Sequence, residues 1–351
     1  MLVLIFALVT IGLVVLYSAV GGGASSTMAI RQVIHFIVAL ILLFAVSLTN
    51  DQFFLRYAYV IYFGILLLLI AVAVLGIVGM GARRWLDLGG FRLQPSEMMK
   101  VAVILALARY FHDRGVVNPL RFRDLIVPAL LLGVAAGLII KQPDLGTAVM
   151  VLAAGGVVIF VAGLPWKYIF LMVTTFVAAA PIAWKFMHDY QQKRILTLLN
   201  PEGDPLGAGY HIIQSKIAVG SGGMMGKGYL KGSQSHLDFL PEQHTDFIFS
   251  VLAEEWGFIG GMVLLGLFAL LILRGLLIAA NARDRFGLLV ASGIISLIAF
   301  QVIINLGMVI GIFPVVGIPL PLVSYGGSSM VTIMGALGVM AHIAIHSKPL
   351  P

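Results

Sequence analysis

Apolar runs recur along this chain, each close to the roughly 20 residues a helix needs to cross a bilayer. They fall near residues 1–20, 31–49, 55–80, 96–112, 124–140, 146–163, 167–187, 247–275, 286–310 and 327–346. Such runs leave the backbone little choice, because in lipid every N–H and C=O must find its partner inside the segment, as a helix does. Composition agrees: 60% of the residues are hydrophobic and 11% charged, against about 45–50% and 25% in soluble domains. The reading is an all-α polytopic membrane protein with ten transmembrane helices and a long extracytoplasmic loop, residues 188–246, between helices 7 and 8. No Pro-, Ser- or Gly-rich linker divides it, so residues 1–351 form one membrane domain.

The chain has no cysteine, which excludes disulfides and thiolate metal sites. Its net charge of +7 calls for no nucleic acid, since cytoplasmic arginines and cations facing a phosphorylated membrane lipid account for it. Residues 1–20 lack a charged leader and read as a retained helix. Arginine bias sets the orientation. Arg56, Arg109, Arg114, Arg121, Arg123, Lys167, Arg274, Arg283, Arg285 and Lys348 share one side, against Arg31, Arg83, Arg84 and Arg92 in short loops of the other. The first side is therefore cytoplasmic and holds both termini.

Four outward segments are dense in glycine, proline and polar residues. The first, residues 81–97, carries Arg83 and Arg84, readable as an interfacial anchor or as phosphate ligands, and ends on Glu97, three residues before Lys100. At that spacing Glu97 and Lys100 share a helix face and can pair. Ionisable groups inside a span usually mark a site, with a structural ion pair as the alternative. The second segment is Lys141-Gln-Pro-Asp144, where Pro143 suits a first helical position and Asp144 the first turn. In the long loop, residues 191–199 and 209–219 read as amphipathic helices on the membrane, with a turn at 200–205. Its glycine run, 220–228, lacks the spacing of a nucleotide loop and reads as a mobile hinge. The fourth, residues 317–329, is a proline-broken stretch that ends on hydroxyls, Ser324 and Ser328 among them.

Asp246 stands where the polar loop turns into the eighth apolar run, with Glu242 and His244 just ahead of it. Thr245 would cap the helix, and an acid in the first turn faces the positive end of the dipole, which favours the ionised form a general base needs. A residue that only starts a helix would look the same. The four segments nevertheless converge on one outer layer holding a carboxylate, several cations and hydroxyls. That inventory suits an anionic amphiphile whose tail stays in the bilayer.

Several stretches together resemble the SEDS family (shape, elongation, division and sporulation). They are Gly-Ala-Arg-Arg-Trp-Leu-Asp-Leu-Gly with Gln-Pro-Ser-Glu97, Lys-Gln-Pro-Asp-Leu-Gly-Thr147, residues 204–216, His-Thr-Asp-Phe-Ile-Phe249 and Pro-Leu-Pro-Leu-Val-Ser-Tyr-Gly-Gly-Ser328. Residues 237–246 are nearer the elongation members than the division members. The match spans nearly the whole chain in order.

The resemblance implies a ten-helix peptidoglycan glycosyltransferase of the bacterial inner membrane. It would polymerise lipid II, the undecaprenyl-pyrophosphate-linked disaccharide peptide, beside a class B penicillin-binding protein, with Asp246 as the essential acid. Asp246 would take the proton of the acceptor hydroxyl. Arg83, Arg84, Lys100 or Lys141 would stabilise the departing pyrophosphate, alone or with a divalent ion, magnesium or manganese. Glu97, Asp144, His244, Ser324 and Ser328 complete the expected substrate-binding set. A flippase for the same lipid and a scaffold that activates the penicillin-binding protein are the alternatives.

Overall fold

The computed structural model describes all residues except 22–26, 51, 80, 81, 88, 90, 91, 116–119, 187, 188, 204–206, 234–241 and 348–351. Parts of the motif stretches at 81–91, 204–206 and 237–241, and Lys348, thus lie outside the described residues. The chain runs α1 (Leu2–Ala19), α2 (Thr27–Ser47), α3 (Phe53–Leu75), β1 (Ile77–Gly79), β2 (Ala82–Asp87), β3 (Arg92–Leu93), α4 (Pro95–Asp113), α5 (Ile126–Lys141), α6 (Leu145–Val161) and α7 (Trp166–Phe186). It continues with α8 (Asp189–Leu199), α9 (Ala208–Ser221), α10 (Ile248–Ala280), α11 (Arg285–Val309) and α12 (Gly327–Ile345). Seven of these, α1, α2, α3, α5 with its leading turn, α10, α11 and α12, are long and apolar enough to cross a membrane. The protein is a multi-pass membrane protein.

Helices α4 and α11 form the centre. Met99, Val103, Ile104 and Leu107 on α4 and Leu289, Val290, Ile294 and Leu297 on α11 are fully buried. Without a hydrophobic drive between helices in lipid, close approach at small residues does the packing. Gly293 of α11 accordingly lies against Ile104 and Val158, and Gly338 of α12 against the carbonyl of Leu43 on α2. Peripheral α7 turns Trp166, Phe170, Leu171 and Met172 outward. At the end of the bundle away from Asp246, Arg109 pairs with Asp113 and Arg114 with Asp124. There Arg285 donates to the carbonyls of Gly115 and Ala162.

Three expectations change. The segment after α3 is not purely irregular: β1, β2 and β3 pair antiparallel in that order, so the fold is not strictly all-α. The β-branched Ile77 and Val78, read as the end of a spanning helix, go into β1 instead, after α3 stops at Leu75. Second, the run starting near 247 gives a 33-residue helix with a break at Gly257, whose φ of 66° and ψ of −161° suit only glycine.

Third, the glycine run is no mobile hinge. Residues 222–228 dock into that break. Lys227 N and Gly228 N donate to the carbonyls of Glu254 and Glu255, while Phe258 N and Ile259 N donate to those of Gly223 and Met224. A Cβ on Gly226 would stand 2.0 Å from the Glu255 carbonyl oxygen, so the contact requires glycine. Side chains lock the junction: Lys227 bonds Glu254 at 2.7 Å, and Ser18 of α1 donates to Glu255. The two short helices expected in the long loop form at α8 and α9, with a 3₁₀ turn at Pro201–Gly203 between them, and α9 buries Ile212, Ser215 and Ala218 against the protein.

Candidate functional site at one face of the bundle

The starts of α4, α6 and α12 meet in one hydrogen-bonded layer. Asp144 caps α6 rather than sitting inside it, because the helix begins at Leu145, two residues later than Pro143 suggested. Its carboxylate accepts from Thr147 N at 3.3 Å, Gln94 Nε2 at 3.0 Å and Ser96 Oγ at 3.1 Å. Ser328 Oγ donates to the Arg92 carbonyl at 2.6 Å and accepts from Gln94 N at 3.1 Å. Arg84 on β2 donates from Nε to the Gln142 carbonyl at 3.1 Å and from its terminal nitrogen to that of Pro143, pinning the sheet to the α5–α6 turn. These groups build the layer with the polar atoms expected to bind substrate.

One turn into α4, Lys100 and Glu97 form a 2.7 Å ion pair, and both are buried. Among the described residues Glu97 Oε2 has no hydrogen-bond partner. The expected pairing is there, and a buried pair of this kind holds together only while both charges stay. Arg83 and Lys141 are exposed beside the layer.

Asp246 lies across the segment 316–328 from these residues. Thr245 does not cap α10: the helix starts at Ile248 with no side-chain cap, and Thr245 Oγ1 donates to the carbonyl and carboxylate of Glu242 instead. Asp246 therefore sits two residues ahead of the helix, and the dipole does not govern its charge. Its side chain is partly open to the surface, yet enough protein surrounds it to strip water from the carboxylate. That burial, reinforced by the nearby Glu242 charge and opposed by Arg194 on α8, pushes its pKa up to about 6. The expected bias toward the ionised form is thus reversed in direction, and the acid stands near neutrality instead.

The main chain around Asp246 is held closely. Tyr325 N donates to the His244 carbonyl at 2.9 Å, Ser324 Oγ to that of Thr245 at 2.5 Å, and Asn305 Nδ2 to that of Asp246 at 2.9 Å. Ser324 thus spends its hydroxyl proton on the backbone. His244 Nε2 lies 3.9 Å from Glu242 Oε2, and its ring meets Tyr325. Gln32 on α2 braces the same loop, donating to the Ser324 carbonyl and accepting from Gly326 N. Gln32, Gln94, Ser96, Arg194 and Asn305 escaped the sequence reading. For Asn305 there was a signal, an amide inside an apolar run. Among the described residues no three His, Asp or Glu side chains converge as a metal group would.

A bundle of membrane-spanning helices with a polar layer at one end, and a desolvated, half-open acid beside it, defines a multi-pass membrane protein with its most perturbed acid at the end of its spans. The chain belongs to the cell cycle protein family FTSW_RODA_SPOVE, whose model matches residues 1–349. It is 46% identical over 351 residues to the peptidoglycan glycosyltransferase MrdB of Escherichia coli K12, covering 100% of this chain and 94% of that one. It also resembles a chain solved in a peptidoglycan synthase complex that coordinates polymerization and crosslinking, with a TM-score of 0.85, 35% identity and coverage of 98% and 96%. The crystal structure of the rod shape determining protein RodA of Thermus thermophilus matches with a TM-score of 0.73, 34% identity and coverage of 98% and 95%.

Proposed function

We infer that this chain is a peptidoglycan glycosyltransferase of the elongation type, polymerising lipid II at the outer face of a bacterial cytoplasmic membrane. Full-length similarity to MrdB and RodA supports the activity. The observation that carries the mechanism is Asp246, whose backbone is pinned while its carboxylate is left open and near neutrality. A base with a pKa near the working pH combines a useful ionised fraction with real proton affinity. Asp246 accepts the proton of the acceptor sugar hydroxyl as that oxygen attacks the anomeric carbon of the donor. The bond from that carbon to the pyrophosphate breaks, and the polyprenyl pyrophosphate leaves with the electron pair. A single base implies direct displacement with inversion, unlike the paired carboxylates of glycosidases.

Lys100, held in its buried ion pair with Glu97, is the favoured cation for the leaving group, with Arg83 and Lys141 at the rim. Arg84, Asp144, Ser324 and Ser328 shape the layer. A magnesium or manganese ion would draw its ligands largely from the pyrophosphate itself, and the proton transfer needs none. An apolar cleft of about 320 Å³, lined by Val219, Phe249, Phe258, Met262, Leu265 and Ile310, suits a hydrocarbon chain beside the Asp246 segment.

The chain would cross the membrane ten times, α4, α6 and α7 joining the seven apolar spans, with both termini cytoplasmic. In α4 the low hydropathy comes from Glu97, Lys100, Arg109 and Asp113, which pair with each other. Because the chain has no cysteine, single cysteines at Arg83 and Arg285 report their sides by impermeant labelling. A class B penicillin-binding protein is the proposed partner. The deciding experiment is purified protein in lipid with lipid II, with and without that partner. Glycan polymer is expected, whereas lipid translocation without polymer would replace the enzyme by a carrier.

A further inference from the structure

Asn305 sits on α11, is fully buried, and spends both hydrogens of its amide on irregular segments. One goes to the Asp246 carbonyl at 2.9 Å and the other to the Ile318 carbonyl at 2.8 Å. Only this amide orientation is tolerable, since the flipped one would aim Oδ1 at two carbonyl oxygens. The chosen orientation leaves Oδ1 buried without a partner among the described residues. An unmet acceptor in such a place is destabilising, so the two donated bonds outweigh it.

Those bonds join two parts of the site. The Asp246 bond completes a row of three consecutive carbonyls, 244 to 246, each held by a donor from α11 or the 324–325 turn. The Ile318 bond fixes the residue after Gly317, which has φ +73° and faces the carboxylate: a Cβ built there would lie 3.6 Å from Asp246 Oδ2. One amide on a rigid spanning helix thereby sets both the height of the acid and the floor under it. Tyr325 and Ser324 cannot do this alone, because they ride on the same irregular segment as Gly317.

We propose that Asn305 is a positioning residue for the transferase reaction, holding Asp246 and the Gly317 floor at a fixed separation so that the carboxylate meets the acceptor hydroxyl. The proposal rests on the reading of Asp246 as the base. Displacing a reacting group by about 1 Å can lower a rate on the order of a hundredfold, so the effect falls on kcat.

The test uses the full-length protein in lipid, with its partner where activity needs it, and lipid II as the probe. Asn305→Leu keeps the branched shape at a larger volume and removes the donors, whereas Asn305→Gln keeps the donors on a longer arm. Both are compared with Asp246→Asn and the Asn305→Leu/Asp246→Asn double variant, and thermal unfolding is followed in parallel. We expect Asn305→Leu to lose roughly tenfold or more in kcat with little change in KM. Asn305→Gln should recover part of that loss, and the double variant should be no worse than Asp246→Asn. The acid limb of the pH profile should also move in Asn305→Gln, because Asp246 shifts relative to Glu242, His244, Arg194 and Tyr325. A wild-type kcat for Asn305→Leu, or a loss confined to KM, overturns the role of Asn305 and leaves Asp246 untouched. If Asn305→Leu fails to fold, a wild-type kcat and acid limb in Asn305→Gln overturn it equally. A wild-type rate for Asp246→Asn removes the base itself and this proposal with it.

Discussion

Asp144 and Asp246 both stand just ahead of a helix in the same layer, and they are held in opposite ways. Around Asp144 the side chain is saturated, with one oxygen taken by Thr147 N and the other by Gln94 and Ser96. Around Asp246 the main chain is saturated, and among the described residues its carboxylate oxygens accept no hydrogen bond. Three fixed donors occupy the Asp144 carboxylate and leave it nothing to give a substrate. Desolvation without donors lifts Asp246 to about 6 and leaves it hungry for a proton. The two residues show that burial of an acid says little about its job until its side-chain and backbone partners are counted separately.

That contrast can be broken by substitution. Asp246→Asn keeps the shape and removes the proton acceptor, so polymerisation should fall on the order of a hundredfold or more while insertion and partner binding persist. Near-native polymer from this variant would put Asp246 in the same structural class as Asp144.

Glu97 and Lys100 give the next largest effect. Either single reversal places like charges in a buried site and should be badly tolerated, since breaking such a pair costs about 3–5 kcal/mol. The double variant E97K/K100E restores a pair and should fold, yet it should remain inactive if Lys100 serves the pyrophosphate. Expression, unfolding and polymer yield measured together decide this, and recovered activity would make the pair purely structural.

For Asp144→Ala the expected loss is in stability, about 1–3 kcal/mol from stranding buried donors, with a smaller effect on turnover of the surviving protein. A large drop in kcat at unchanged melting temperature would reverse the assignment.

The smallest effect is on pH. kcat/KM should rise as pH passes through about 6, as Asp246 ionises. Stability has the opposite sign: the folded-state pKa is raised, so the contribution of Asp246 is full below its ordinary value of 3.8 and is lost as pH rises through about 6. Glu242→Gln should move the acid limb down, since its charge is one cause of the shift, and Arg194→Ala should move it up. A limb unmoved by either variant would leave burial as the sole cause.

Much of this was legible in the sequence because membranes impose long periods. The apolar runs located most of the helices, and the polar stretches located the layer and the segment that carries Asp246. What was hidden depended on which atom of a residue is used. Ser324, Ser328 and Arg84 read as substrate ligands because their types bind phosphate and sugar, but folding turns them onto carbonyls. Thr245 read as a cap because it stands at the right place, and it turned to Glu242 instead. The glycines at 220–228 read as flexible because a run of glycines looks the same whether it is free or packed against backbone. Only the φ of Gly257 and the carbonyls beside it distinguish the two.

The docked glycine segment also bears on how the chain enters the membrane. The broken turn of α10 leaves backbone groups that lipid cannot satisfy, and it borrows them from a stretch some thirty residues earlier. During synthesis that stretch precedes α10, so the missing partners are already made when the helix arrives. Order of emergence from the ribosome is thereby part of the design: a circular permutation that sent α10 in ahead of its glycine segment would have to bury an incomplete helix first.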